Sequence, residues 1–184
     1  MKKTPNALAF LALGVVALSA GCSSLKVGND YDPSADFERF DSFDWLDNRP
    51  GVSETVRTAM SESRRFDRDI RRTVSSELLA KGLLADPQSP DLLAAYHVGV
   101  DDEIDLAGWG YRYQGPYKGW SGDIDLNRYR AGTLILDLID TETMSLVWRA
   151  SVENTFEDKA TPEETARRIG DAVQKIFQLY PPVE

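Results

Sequence analysis

The sequence is short of the residues that most often carry chemistry. Cys22 is the one cysteine and His97 the one histidine among 184 residues. A single cysteine excludes a disulfide within the chain. A single histidine excludes metal sites built on two or three imidazoles and leaves one candidate general base. Positive charge is scarce as well: 21 Lys and Arg stand against 30 Asp and Glu, a formal net charge of −9. That field repels nucleic acid and anionic lipid surfaces alike, so neither is expected as an electrostatic partner. No apolar run reaches the ~20 residues that a transmembrane helix requires. The longest, Ala7 to Ala20, is interrupted by Gly14 and Ser19. What remains is 42% hydrophobic and 28% charged, which is ordinary for a globular domain. The length suits a single core that needs neither metals nor disulfides.

The N-terminus carries a leader. Lys2 and Lys3 form a positive n-region, Ala7 to Ala20 an apolar h-region, and small residues follow before Cys22, Ser23 and Ser24. The string Leu18-Ser19-Ala20-Gly21-Cys22 resembles the lipobox of bacterial lipoproteins, with Ser19 where a Leu is usual and Leu18 one place earlier. The expectation is a signal peptide over residues 1–21 that is cleaved, a lipidated Cys22 with a tether over 22–24, and a single domain over 25–184. A lipidated Cys22 is no longer a thiol, which accounts for a lone cysteine in an oxidising compartment and excludes a cysteine nucleophile. Without Lys2 and Lys3 the mature charge is −11. Two or more acyl chains suffice for stable anchoring. Ser23 after the cysteine, by resemblance to sorted lipoproteins, implies the periplasmic face of the outer membrane.

Patterning divides the remainder. Leu25 to Tyr31 opens the domain, and Ser42 to Leu46 reads as a short strand. Asp47 to Arg64 is polar, and Pro50-Gly51 marks it as a loop or a frayed helix. From Asp67, Ile70, Val74 and Leu78 recur at four-residue spacing; Leu79 widens the stripe and Gly82 stands as a C-terminal cap. Alternation over Leu92 to Val100 predicts a strand that points His97 opposite to Tyr96. Thr133 to Asp140 and Leu146 to Val152 alternate on either side of Thr141-Glu142-Thr143 and predict a hairpin. Thr161-Pro162-Glu163-Glu164 is a capping-box start, followed by an apolar stripe of Ala166, Ile169, Val173, Ile176 and Phe177, and Pro181 and Pro182 end that helix. The expected fold is α+β: a two-layer sandwich with a mainly antiparallel sheet of four to five strands and two helices on one face.

Several of these strings in combination, namely Asp30-Tyr31-Asp32-Pro33-Ser34-Ala35-Asp36-Phe37, Phe43-Asp44-Trp45-Leu46, Ile70-Arg71-Arg72 through Leu79-Ala80-Lys81-Gly82, Asp91 to His97, and Gly132 to Asp140 with Val147-Trp148-Arg149, resemble the domain-of-unknown-function 4136 family of bacterial envelope lipoproteins. The resemblance covers most of the mature chain. It implies a lipobox leader and a compact α+β domain, with no reaction and no catalytic residues to transfer.

Three groups of residues are candidates for chemistry. His97 lacks a Ser or Cys nucleophile motif beside it, so a hydrogen-bonded or exposed strand residue is expected there. Asp101, Asp102, Glu103 and Asp105, with Asp123 and Asp125, have the hard oxygens that calcium takes but not the spacing of an EF-hand loop, and read as a solvated acidic segment. Trp109, Tyr111, Tyr113, Tyr117 and Trp120 alternate with glycines in a long aperiodic stretch. They form a candidate binding loop that offers flat rings to sugar, peptide or lipid, or else folds back over the open sheet face. The expectation is therefore a membrane-anchored, non-catalytic binding or structural module of the cell envelope, without cofactor or metal. Its partners are the bilayer through Cys22 and an envelope protein or cell-wall component. A carboxylate-dependent envelope hydrolase is the competing reading.

Overall fold

In a computed structural model, the structure describes residues 25–48, 64–98, 132–153, 155, 156 and 160–182. Among these, six strands and two α-helices follow one another as β1 (Lys26–Tyr31), β2 (Ser42–Trp45), α1 (Arg64–Ala80), β3 (Leu84–Ala85), β4 (Leu92–Val98), β5 (Leu134–Asp140), β6 (Ser145–Glu153) and α2 (Pro162–Phe177). They form one sheet in the order β1-β6-β5-β4-β2-β3. The α+β class is as expected, but the sheet is six-stranded and mixed rather than mainly antiparallel with four to five strands. Pairings β1–β6, β6–β5 and β5–β4 are antiparallel, whereas β2 runs parallel to both β3 and β4. The parallel part follows from α1, because a helix that carries the chain back between two strands returns it in the same direction.

Each helix forms where periodicity and capping agree. In α1, Ile70, Val74 and Leu78 are completely buried. Its end is a Schellman closure: the Gly82 N–H donates to Leu79 O at 3.0 Å and the Leu83 N–H to Leu78 O at 3.1 Å. Gly82 sits at φ +97°, a conformation that a Cβ would strain. Leu79 does not widen the buried stripe; it is half exposed, because the stripe is one residue per turn along the helix, through Phe66, Ile70, Val74 and Leu78. In α2 the Thr161 hydroxyl accepts from the Glu164 N–H at 3.2 Å while Glu164 Oε2 accepts from the Thr161 N–H at 2.8 Å. That is the reciprocal capping box, and it satisfies two amide donors that the first helical turn leaves unpaired. Thr165, rather than Ala166, begins the buried stripe of α2.

Strand alternation sends Phe43, Trp45, Leu92, Ala94, Tyr96, Leu136, Leu138, Trp148 and Ala150 to one face. Both helices lie on that face. Trp148 meets the Phe177 ring of α2 at 6.0 Å, and Tyr96 donates its hydroxyl proton to Asp67 of α1 at 2.7 Å. A second link runs through Arg71, whose guanidinium lies 4.6 Å from the Trp45 ring centre and donates to Asp67 and Asp47 at 2.6 Å each. The planar fork can stack and bond at once, so one side chain ties α1 to the sheet and to the turn after β2. The β5–β6 turn is held by Asp140, which accepts from the Glu142 N–H at 2.9 Å, the Thr143 hydroxyl at 3.0 Å and Arg39 at 2.5 Å.

Candidate functional site

The opposite face of the sheet is not the wet side of an amphipathic sheet. Leu93, Ala95, Ile135 and Ile139 point there and are completely buried, and the charged residues beside them are buried too. Asp30 of β1, Arg149 of β6 and Asp137 of β5 stand directly opposite one another in register, followed by Ala95 of β4. His97, two residues further along β4, shares that face. Asp30, Asp137, Arg149 and His97 are each exposed by 4% or less.

The geometry is that of one closed ion pair within the row. Arg149 donates to Asp137 through Nε and Nη2 at 2.5 Å each, a bidentate fork, and His97 Nε2 lies 3.3 Å from Asp137 Oδ2. Burial opposes the ionised Asp137, but the charge of Arg149 and the two donated hydrogen bonds outweigh it and hold the carboxyl well below the usual range. Burial, the largest influence on His97, holds the imidazole below its ordinary value against the pull of Asp137, so the ring is neutral at pH 7. Asp30 behaves in the opposite way. Its burial raises it to about 6, and the Tyr31 N–H and the charge of Arg149 offset only part of that rise.

Chemically, such a row positions side chains more than it offers them. A general base must reach the proton it removes, whereas His97 is directed at Asp137 inside the fold. Of the residues singled out in the sequence, His97 lies opposite to Tyr96 as expected, and it is buried and paired. Cys22 and the candidate binding loop of Trp109, Tyr111, Tyr113, Tyr117 and Trp120 lie outside the described residues, as do Asp101, Asp102, Glu103, Asp105, Asp123 and Asp125. Sequence reasoning missed Asp30, Asp137 and Arg149. The signal was an acid within the apolar run Leu134-Ile135-Leu136-Asp137-Leu138-Ile139 and a base within Val147-Trp148-Arg149-Ala150, on two arms of one hairpin. A buried charge on one arm demands its opposite across the turn.

No group of three or more metal-binding side chains is found among the described residues, and no helix among them is long and apolar enough to cross a membrane. The class defined by the fold is a two-layer α+β domain with an open mixed sheet, apolar towards its helices and charged on its buried reverse. Within that class the chain belongs to the family described as domain of unknown function DUF4136, whose model matches residues 27–182. No curated protein matches this chain. Among solved structures it is similar to a PDZ domain protein from Parabacteroides distasonis ATCC 8503, with 19% identity and a TM-score of 0.50 over 86% of this chain and 36% of that one. The chain thus spans about a third of that protein, and the likeness is one of fold. It is also similar to a PelC dodecamer from Paraburkholderia phytofirmans at 12% identity and a TM-score of 0.40, covering 84% and 97% of the two chains.

Proposed function

We propose that this protein is a lipid-anchored, non-catalytic module of the cell envelope, acylated at Cys22, that presents the aromatic segment Trp109 to Trp120 to an envelope protein or cell-wall glycan. The observation that carries the reading is the polarity of the strands. Val27, Val152, Leu134 and Val98 occupy one cross-strand row. Val27 lies five residues after Cys22, while Val98 and Leu134 bracket the aromatic segment in sequence. Across three strand spacings of ~4.8 Å, the attachment point of the tether and both attachment points of the segment share one end of the sheet, within about 14 Å. Five residues of extended chain reach at most ~17 Å, so a lipid at Cys22 keeps that end close to the bilayer. The non-catalytic part of the reading is supported by His97, the one imidazole, which is committed to a buried ion-pair row.

The test is capture from detergent-solubilised envelope by the native chain and by the Trp109→Ala, Trp120→Ala double variant. The reading expects a specific protein or glycan that the native chain retains and the variant loses. Equal capture by both, with a lowered melting temperature in the variant, contradicts it and assigns the rings to packing.

A further inference from the structure

We propose that Asp30 is an acid-operated latch on the edge strand: protonation of its carboxyl seats β1 against β6, and ionisation loosens it. The latch rests on the strand pairing alone and not on the envelope reading above.

Three geometric facts carry it. First, β1 ends the sheet and joins it only through β6 among the described strands. Second, Asp30 is 4% exposed, and its hydrogen bond from the Tyr31 N–H at 3.0 Å comes from its own strand rather than from the sheet it docks on. Third, the cation opposite Asp30 is Arg149, whose Nε and Nη2 are already held by Asp137. Asp137 holds that guanidinium and is ionised, whereas the Asp30 carboxyl has no ion pair within 4 Å among the described residues and is the surplus anion. Among the described residues, the other titratable groups near or on that face are Asp32, Lys26, Glu153, Asp44 of β2 and the neutral His97 of β4. Asp32, two residues on, is buried and bonded to Ser34, and Lys26 and Glu153 pair with each other at 3.1 Å at the far end of β1. Helix α2 meets β1 on the other face, where Val27, Asn29 and Tyr31 point, and so brings no charge towards Asp30.

The sign follows from linkage. Burial raises the docked carboxyl to about 6, whereas in an undocked strand it returns to 3.8. The stabilisation of the docked strand is fully present below the undocked value and is lost as pH rises through about 6. Between those two values the opening equilibrium changes about tenfold for each pH unit, to a limit on the order of a hundredfold. About tenfold of that falls between roughly pH 5 and pH 7.5. In an envelope protein, β1 is the strand nearest the anchor, so the grip on the tether would follow the acidity of the medium.

The experiment is amide hydrogen exchange of the full chain at pH 5 and pH 7.5, corrected for intrinsic exchange, in the native protein and in Asp30→Asn. Native β1 amides are expected to open about tenfold more often at pH 7.5, with α1 amides unchanged, and Asp30→Asn is expected to remove that difference. An equal pH dependence in the variant, or none in the native protein, overturns the latch. Should the variant fail to fold, the carboxyl carbon of Asp30 can be titrated by NMR in the native chain. A midpoint near 6 supports the proposal and one near 4 overturns it.

Discussion

The two faces of the sheet are both buried, by different means. Towards the helices, Trp45, Tyr96, Trp148 and Phe177 fill space with rings, and the polar contacts sit at the margin, as with Arg71 between Asp67 and Asp47. On the reverse, an Asp–Arg–Asp row and a histidine lie among Leu93, Ala95, Ile135 and Ile139. Apolar burial is non-directional, so the first face tolerates a lost methyl group in proportion to the cavity left. A buried ion pair is different: its desolvation cost is offset only while both partners stay in place. The helix face should therefore fail gradually, and the reverse face all at once.

Removing one charge tests this most severely. Arg149→Met leaves Asp137 buried without its cation and is expected to cost about 3–5 kcal/mol at pH 7 in urea unfolding. Adding Asp137→Leu should restore most of that loss, since apolar pairs often replace buried ion pairs at little cost. If the double variant is no better than the single one, the row contributes more than mutual neutralisation. On the other face, Leu78→Ala should cost about 3 kcal/mol through its cavity, with the same value at pH 5 and pH 7.5.

A third test separates the faces by pH. His97 is depressed by burial, so its contribution is fully present above about pH 6.5 and is lost as pH falls through its folded value. His97→Leu should cost about 1 kcal/mol at pH 7.5, where a hydrogen bond to Asp137 is lost, and less at pH 5. A cost that grows on acidification would mean that the ring is charged in the fold. The smallest effect is expected at the helix start, where Thr161→Ala removes one half of the capping box and should cost about 1 kcal/mol, visible as a lower melting temperature.

Local signals made much of the molecule legible in advance. Thr161 with Glu164, Gly82 after α1, and the Thr141-Glu142-Thr143 connection each act within a few residues, and each stands where the sequence indicates. The parallel pairing of β2 with β4 was not legible, because it is set by where α1 returns the chain. Strand β3 is two exposed residues whose membership rests on backbone bonds, the Leu84 N–H to Asp41 O at 2.8 Å and the Asp86 N–H to Phe43 O at 3.0 Å. No side-chain pattern announces such a strand. The charged row was half legible: alternation separates His97 from Tyr96, but Asp30, Asp137 and Arg149 come from three strands whose register the sequence alone does not give. Cys22 and the aromatic segment lie outside the described residues, and their assignment rests on sequence pattern.

The central claim, a domain held at the membrane by the cysteine that precedes β1, is tested most directly by the mass of its N-terminal peptide. Chain expressed with its leader and recovered from the membrane fraction should yield a peptide that begins at Cys22 and carries the mass of its acyl chains, and Cys22→Ser should release the domain from the membrane. A peptide that begins elsewhere, or an unmodified Cys22 in a freely soluble protein, would contradict the account.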